Sequence, residues 1–268
     1  MSELAYVHGY EPRENERLHD QAQALADLLH EGTAYSAGSS VLEVGCGVGA
    51  QTVTLAQRSP DARFTSIDVS AESLAMARQR IARAGFTNVE FRQADIFDLP
   101  FSAESFDHVF VCFVLEHLAH PVSALRILKN LLRPGGSSTV IEGDHGSTYF
   151  YPESADANAA IDCLVRMQRE AGGNALIGRQ LYPLMIEAGF NGVHVSPRMV
   201  YVDSSRPELA DSITLKTFTA MVEGIRGPAI AAGLISAERF EAGIQALYRT
   251  TAPDGAFCYT FFKGVAVR

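Results

Sequence analysis

The chain has 268 residues, of which 47% are hydrophobic and 20% are charged, a composition typical of a globular protein with one sizeable core. Its formal net charge is −9, and it has no run of lysine and arginine suited to neutralising phosphates, which argues against DNA or RNA as a partner. The four cysteines are widely spaced and form no C-x-x-C pair, so neither a disulfide framework nor a metal site is predicted.

The N-terminus and the hydropathy of the chain predict its location. Residues 1–20, MSELAYVHGYEPRENERLHD, lack the basic start and the apolar run of a signal peptide. No apolar segment approaches the roughly 20 residues that a membrane span needs. We therefore expect a cytoplasmic protein with no membrane partner, while the sequence leaves the oligomeric state open.

Strands and helices alternate over the first half of the chain. A helix within residues 15–30 precedes the strand and turn SSVLEVGCG, and helices then alternate with the strand-like segments RFTSIDVS, NVEFRQADI, FDHVFVCFV and SSTVIEGD. One of these helices is expected to start after Ser70 and to stop at Gly85, and another, PVSALRILKNLLRPGG, ends at Pro-Gly-Gly. Five such strands predict right-handed β-α-β units and a parallel sheet covered on both faces.

The pattern changes after Asp144. Helical segments dominate residues 153–171 and 207–250, Pro197 marks an edge or a bulge in the strand GVHVSPRMVYVD, and FCYTFFKGVAV closes the chain as a strand. The predicted fold class is α/β, a Rossmann-like doubly wound sheet, mostly parallel with an antiparallel last strand. The predicted domains are an N-terminal helical lid over residues 1–35 and a main domain over 36–268, with helical cap segments inserted near 150–175 and 205–252.

A glycine-rich turn follows the first strand in VLEVGCGVGAQT. Gly45, Gly47 and Gly49 read G-x-G-x-G, whereas the dinucleotide fingerprint reads G-x-G-x-x-G and directs a helix N-terminus at a pyrophosphate. Glu43 stands two residues before the first glycine, where a carboxylate would repel a pyrophosphate but suits a ligand that carries an ammonium group. The alternative is a turn whose glycines serve packing alone.

Two further carboxylates are predicted at the ends of neighbouring strands. Asp68 ends the second strand, where it can accept hydrogen bonds from both hydroxyls of a ribose, and Asp95 ends the third, where it can accept from the exocyclic amine of adenine. With Glu43, they fit a cationic nucleoside that carries no phosphate. For Asp68 and Asp95 the alternative role is helix capping, since each precedes a possible helix start.

The motif set resembles the class I S-adenosylmethionine-dependent methyltransferases. VLEVGCGVG, SIDVS, QADIFDLPF, FDHVFVCFVLEHL and LLRPGG match that family's motifs in order, over residues 36–145. The resemblance implies S-adenosyl-L-methionine as cofactor and S-adenosyl-L-homocysteine as product. It also implies the cofactor contacts: the methionine part beside Glu43, Gly45, Cys46, Gly47 and Gly49; the ribose at Asp68; the adenine between Val69 and Ile96, with its amine at Asp95; and the amino group at the carbonyls near Cys112 and Phe113.

The sequence favours a small-molecule acceptor. The Asn/Asp-Pro-Pro-aromatic motif of DNA amino-methyltransferases is replaced by VCFVLEH, and Val111 rather than proline precedes Cys112. Histidines beside tyrosines in YVHGYE and EGDHGSTYFYP suit a planar aromatic acceptor. Arg179 is a candidate for holding an acidic group, with a solvated helix face as the alternative, and His117 is a candidate catalytic residue, with a structural role at a helix start as the alternative.

Three side chains are the candidate general bases. Asp144 and His145 are predicted at a strand tip, where a base is useful, with a hydrogen-bonded turn as the alternative. His8, with Tyr6 and the predicted cofactor contact Tyr10, forms a lid over the cofactor or, alternatively, serves surface packing.

YVHGY, VIEGDHGS and FCYTFFKG resemble segments of bacterial indole C3-methyltransferases of physostigmine-type pathways. This implies C-methylation of a small aromatic natural product, with a base near the ring N–H. The alternatives are O- or N-methylation of a phenol, quinone or amine, a nicotinamide-dependent oxidoreductase, and a nucleoside-binding protein without catalysis.

Overall fold

The computed structural model describes residues 25–268, which divide into two compact units. The core unit comprises Ala26–Glu142, Ile177–Pro197 and Phe262–Arg268. The accessory unit comprises Gly143–Leu176 and Arg198–Phe261, together with Leu25. Most of the predicted lid lies outside the described residues, so the predicted domain boundary after residue 35 stays a prediction. The predicted cap segments lie within the ranges of the accessory unit.

Seven strands form one sheet, mostly parallel with one antiparallel strand, in the order β3-β2-β1-β4-β5-β7-β6. Their bounds are β1 (Ser40–Val44), β2 (Arg63–Asp68), β3 (Val89–Gln93), β4 (Phe106–Cys112), β5 (Leu132–Tyr151), β6 (Asn191–Asp203) and β7 (Ala256–Val267). β1 pairs in parallel with both β2 and β4, so the strand order reverses at β1. The predicted Rossmann-like fold class is confirmed, and ligands of such sheets bind beyond the carboxyl ends of the strands at this reversal.

The helices cover both halves of the described chain. Residues 25–30 are helical, and the later α-helices are α1 (Ala50–Arg58), α2 (Ala71–Arg83), α3 (Pro121–Leu131), α4 (Ala155–Glu170), α5 (Leu181–Glu187), α6 (Pro207–Leu209), α7 (Ala220–Gly224), α8 (Arg226–Ala231) and α9 (Ala237–Arg249). Leu115–His117 and Ile177–Gln180 are 3-10 helices, and Ala210–Thr219 is a π-helix. None of the helices within residues 25–268 combines the length and the apolar character that a membrane crossing requires.

The hydrophobic interior of the core unit lies between the sheet and its helices. Pro121 begins α3 without losing a helical hydrogen bond, and the helix buries Ala124, Leu125, Leu128 and Leu131 along one face, because these positions repeat every three or four residues. This face packs against buried apolar residues of β1, β4 and β5. The packing fixes the strands, and therefore the positions of their carboxyl ends.

The helix predicted between Ser70 and Gly85 is confirmed. The Ser70 side chain accepts a hydrogen bond of 3.1 Å from the backbone N–H of Ser73, which satisfies one of the free donors at the start of α2. Gly85 follows the helix with a φ of 77°, the left-handed conformation that commonly ends helices. The second strand therefore leads into a helix whose N-terminus faces the carboxyl end of the sheet.

The fifth strand is longer than predicted. Its predicted segment, SSTVIEGD, ends at Asp144, whereas β5 runs from Leu132 to Tyr151. The prediction that Asp144 and His145 lie at a strand tip is therefore wrong, because both lie inside β5. Residues 147–151, STYFY, contain the threonine and aromatic side chains that favour strands, and glycines at 143 and 146 do not interrupt the extended backbone.

The edge of the sheet accommodates a proline. β6 is the last strand in the sheet order and continues through Pro197 without a break. An edge strand has one unpaired side, so a residue without an N–H is tolerated there. The predicted closing strand FCYTFFKGVAV is confirmed as β7.

Two long helices pack closely in the accessory unit. A Cβ atom added to Gly243 of α9 would come within 2.5 Å of the backbone oxygen of Asp156 in α4, so the absence of a side chain permits the close approach. Arg239 reinforces the contact with an ion pair of 3.0 Å to the Asp156 carboxylate. The segment that connects these two helices in the chain contains the π-helix Ala210–Thr219, a form that frequently occurs at functional sites.

Candidate functional site

The glycine-rich turn joins β1 to α1. Gly45, Gly47 and Gly49 have φ values of 66°, 51° and 77°, all in the left-handed region that favours glycine. Cβ atoms added at Gly45 and Gly49 would press on Val114 and Ala77, respectively, so these two glycines serve packing. A Cβ at Gly47 would meet no atom within 4 Å. The packing alternative therefore holds for Gly45 and Gly49, whereas Gly47 borders open space, and a contact between this turn and a cofactor stays a prediction.

Asp68 connects the end of β2 to this turn. Its Oδ2 accepts a hydrogen bond of 2.8 Å from the N–H of Gly47, and its Oδ1 accepts one of 2.9 Å from the N–H of Ser70. Burial raises the pKa of the carboxyl, and the same two N–H groups oppose that rise. The predicted capping role of Asp68 is thus partly present, because it accepts from Ser70, the residue that precedes α2. Its other hydrogen bond is to Gly47, the glycine of the turn that borders open space.

Glu43 lies inside β1 and is only 2% exposed. Its Oε2 accepts hydrogen bonds from the hydroxyls of Ser66, at 2.6 Å, and Thr52, at 2.8 Å, which tie β1 to β2 and α1. Burial raises the pKa of this carboxyl from 4.5 to about 7, although both hydroxyls oppose the shift. The described contacts are internal, and a contact between Glu43 and an ammonium group stays a prediction.

The adenine side of the predicted site lies after β2 and β3. Val69 is 55% exposed, and its carbonyl accepts a hydrogen bond of 2.8 Å from the side chain of Gln93. Asp95 is exposed and lies two residues beyond the end of β3, rather than on the strand as predicted, because its side chain accepts from the N–H of Phe97 at 2.9 Å in a tight turn. Ile96 is buried in the core cluster. The exposed ring of Phe97, which sequence reasoning missed, lies beside Asp95 in the chain.

The end of β4 carries an unusual backbone conformation. Phe113 has a φ of 58°, which is strained for a residue with a side chain and occurs preferentially at functional sites. Burial raises the pKa values of the Cys46 and Cys112 thiols, so neither thiol is available as a thiolate at neutral pH. The side chains of both cysteines are buried and contribute packing, and the cofactor contact predicted for the carbonyls near Cys112 and Phe113 stays a prediction.

Glu142 of β5 was also missed. It is completely buried, and its Oε1 accepts hydrogen bonds from the N–H groups of Val114, at 3.0 Å, and Leu115, at 2.7 Å. The available signal was an acidic residue following the apolar run TVI in a strand, where a carboxylate needs partners. Because a carboxylate can take two donors, this residue holds the turn after β4.

Asp144 and His145 are both buried in the accessory unit, at 1% and 4% exposure. The Nδ1 of His145 is hydrogen-bonded to the Tyr259 hydroxyl at 2.7 Å, and the backbone N–H of His145 donates to the carbonyl of Ala175. Asp144 accepts a hydrogen bond of 3.1 Å from the N–H of Gly146. Asp144 and His145 are therefore buried residues in the interior of β5, and not residues at the tip of a strand as predicted.

The remaining candidates are placed individually. The Nε2 of His117 lies 3.5 Å from an Oε1 of Glu116 in a 3-10 helix, and Arg179 is exposed on another. His8, Tyr6 and Tyr10 lie outside the described residues. Within residues 25–268, no group of three or more His, Cys, Asp or Glu side chains is arranged to hold a metal ion.

A methyltransferase domain family model matches residues 35–189. The methyltransferase GfsG of Streptomyces halstedii is 31% identical over 138 residues, which are 50% of this chain and 49% of that protein. The demethylmenaquinone methyltransferase of Tropheryma whipplei is 37% identical over 117 residues, 44% of this chain and 47% of that protein. The chain spans about half the length of the curated relatives it matches.

A solved structure shares the fold. Haemonchus contortus phosphoethanolamine N-methyltransferase 2, in complex with phosphomonomethylethanolamine and S-adenosylhomocysteine, has a TM-score of 0.56 and 17% identity. The alignment covers 93% of this chain and 52% of that chain. At this identity the likeness concerns the fold.

Proposed function

Because the chain belongs to the methyltransferase domain family, we propose that it transfers a methyl group from S-adenosyl-L-methionine to a small acceptor and releases S-adenosyl-L-homocysteine. The observation that carries this proposal is the bond between Asp68 and Gly47, at the one glycine of the turn that borders open space. The small molecule phosphomonomethylethanolamine, bound in the structure of the Haemonchus contortus enzyme, supports a small acceptor.

The proposed cofactor contacts follow the ends of the strands. Asp68 has one carboxylate oxygen engaged with each of two backbone donors and can accept further hydrogen bonds from ribose hydroxyls, because each oxygen has two lone-pair sites. Val69 offers exposed apolar surface to the adenine ring, and Asp95 offers an exposed carboxylate to the adenine amine. The remaining proposed cofactor contacts are Glu43, Gly45, Cys46, Gly47, Gly49, Ile96, Cys112, Phe113 and Tyr10.

The bound cofactor supplies an electrophilic methyl group on a sulfonium, so the protein's task is to align the acceptor and exclude water. Glycine at position 47 would admit the cofactor to the backbone of the turn, and the backbone carbonyls near Phe113 would accept hydrogen bonds from its amino group. No base is needed unless the acceptor must lose a proton.

The proposed acceptor is an aromatic natural product, with C3 of an indole as the methylated atom. Asp144 or His145 is the proposed base for the ring N–H, with His8 as the alternative source. The bond between His145 Nδ1 and the Tyr259 hydroxyl supports this role, because it fixes the imidazole ring. A second candidate acceptor is a quinone or phenol, favoured by the similarity to a demethylmenaquinone methyltransferase. A nicotinamide-dependent oxidoreductase is not favoured.

The proposal is tested first by binding and then by turnover. Calorimetry should detect S-adenosylhomocysteine binding and no NADH binding, and the reverse result would refute the cofactor assignment. Turnover is then measured by mass spectrometry with labelled S-adenosylmethionine and a panel of indoles, phenols, quinones and amines, with duplex DNA and tRNA as controls. A labelled methyl group at C3 of an indole would support the proposed indole acceptor. Cofactor binding without any methylated product would favour a nucleoside-binding protein instead.

A further inference from the structure

Two consecutive residues of β5 bind three consecutive amides of the turn after β4. The carbonyl of Ile141 accepts the N–H of Phe113 at 2.9 Å. The Oε1 of Glu142 accepts the N–H groups of Val114 and Leu115. The left-handed conformation of Phe113 persists only where its surroundings impose it, and these three bonds impose it.

The same turn contacts the glycine-rich turn on its other side. One γ-methyl group of Val114 occupies the space where a Cβ atom of residue 45 would lie, so the Val114 side chain packs directly on the backbone of Gly45. Gly47, two residues later, is held by Asp68. A displacement of the Phe113–Leu115 turn would therefore also change the backbone that the cofactor is proposed to contact.

The second oxygen of Glu142 is unusual. Its Oε2 is buried and has no hydrogen-bond partner within residues 25–268. Burial and, after it, the neighbouring carboxylate of Glu116 raise the pKa of Glu142 well above its usual range. Because only Oε1 accepts the N–H groups of Val114 and Leu115, the amide of glutamine, whose oxygen can accept the same two donors, closely imitates this side chain.

We infer that Glu142 is a positioning residue for the cofactor, which sets the Phe113–Leu115 turn, and through Val114 the glycine-rich turn, in the conformation that binds S-adenosylmethionine. This inference rests on the proposed function. Glu142 acts through the length of its side chain, which brings Oε1 within hydrogen-bond distance of two backbone N–H groups. A negative charge on its carboxyl group is not required for this role.

Three substitutions of Glu142 distinguish the effect of side-chain length from the effect of an ionisable carboxyl group. Glu142→Gln keeps the acceptor at the same distance, Glu142→Asp keeps the carboxyl but is one methylene shorter, and Glu142→Leu keeps the size and accepts nothing. Ser138→Ala is the matched control, because Ser138 is completely buried in the same strand and its Oγ has no partner within the described residues. Dissociation constants for S-adenosylhomocysteine are measured by calorimetry, at a temperature where circular dichroism shows each variant folded.

We expect Glu142→Gln and Ser138→Ala to bind within about threefold of wild type, and Glu142→Asp and Glu142→Leu to bind about tenfold more weakly or worse. A purely structural residue would instead lower the melting temperature while the folded variants bind normally, which would overturn the inference. Binding by Glu142→Asp but not by Glu142→Gln would also overturn it, because acidity would then be the requirement.

Val114→Ala keeps the inference testable if the shortened variants do not fold. It leaves both bonds to Glu142 in place and removes the methyl groups that pack on Gly45. We expect this variant to bind S-adenosylhomocysteine several-fold more weakly, and normal binding would contradict the proposed coupling. If the wild-type protein itself does not bind S-adenosylhomocysteine, the proposed function fails, whereas normal wild-type binding with unaffected variants refutes this inference alone.

Discussion

The carboxylate of Asp68 accepts a hydrogen bond of 2.8 Å from the backbone N–H of Gly47, and so connects two sequence motifs that are 21 residues apart. The bond brings the end of β2 against the glycine-rich turn after β1, at the point where the strand order reverses. Because Gly47 borders open space, the backbone of the turn beside this carboxylate is accessible at the proposed cofactor site.

Asp68→Ala should weaken S-adenosylhomocysteine binding. The substitution removes the proposed acceptor for the ribose hydroxyls and releases the N–H groups of Gly47 and Ser70. Charge-assisted hydrogen bonds of this kind contribute about 1.5–3 kcal/mol, or roughly tenfold to a hundredfold in the dissociation constant. Calorimetry is the measurement, with Asp61→Ala as the control because Asp61 is an exposed aspartate before the same strand. An unchanged constant in a folded Asp68→Ala protein would refute the ribose assignment.

Gly47→Ala and Gly85→Ala form a matched pair. Both glycines have positive φ values, and a Cβ at either position would meet no atom within 4 Å. Each substitution should therefore cost about 1–2 kcal/mol of stability through backbone strain. Only Gly47→Ala should also weaken cofactor binding, because only this turn is proposed to approach the ligand. Equal dissociation constants for the two variants, measured below their melting temperatures, would show that the turn does not contact the cofactor.

The sequence predicted the parts of the site that local motifs determine. The glycine spacing, the aspartate that ends β2 and the cap of α2 at Ser70 depend on a few neighbouring residues, and their elements are found where expected. The length of β5 and the role of Glu142 depend on pairing between distant segments. No local pattern reveals that Oε1 of Glu142 binds amides 27 and 28 residues earlier in the chain. The same non-local pairing buries Asp144 and His145.

Glu43→Gln should change how stability depends on pH. The pKa of Glu43 is raised to about 7 in the folded protein from 4.5, so the folded state binds more protons between these values. Its stabilising contribution is complete below pH 4.5 and is lost as the pH rises through 7. Glutamine does not titrate, and its side-chain oxygen can accept from Ser66 and Thr52 in place of Oε2.

The free energy of unfolding is measured for wild type and Glu43→Gln at pH 5, 6 and 7. The difference between the two proteins isolates this group from others, such as His30, whose pKa is lowered to about 4 by burial. The variant should gain stability relative to wild type from pH 5 to pH 7, by at most about 3 kcal/mol. A pH-independent difference would mean that Glu43 has an ordinary pKa.

The last prediction concerns the proton of the acceptor. If the acceptor is an indole methylated at C3, or a phenol, His145→Ala or Asp144→Asn should reduce kcat by about 10²- to 10⁴-fold while S-adenosylhomocysteine binding is unchanged, because a true base acts in the transition state. Tyr259→Phe keeps the ring and removes the hydroxyl bonded to Nδ1 of His145. It should reduce kcat by a smaller factor if His145 is the base, since it disturbs only the orientation of the imidazole. Normal kcat in the first two variants, with loss in His8→Ala, would assign the base to the N-terminal segment. Near wild-type kcat in all of them would mean that alignment and exclusion of water suffice, and that Asp144 and His145 are buried structural residues of β5.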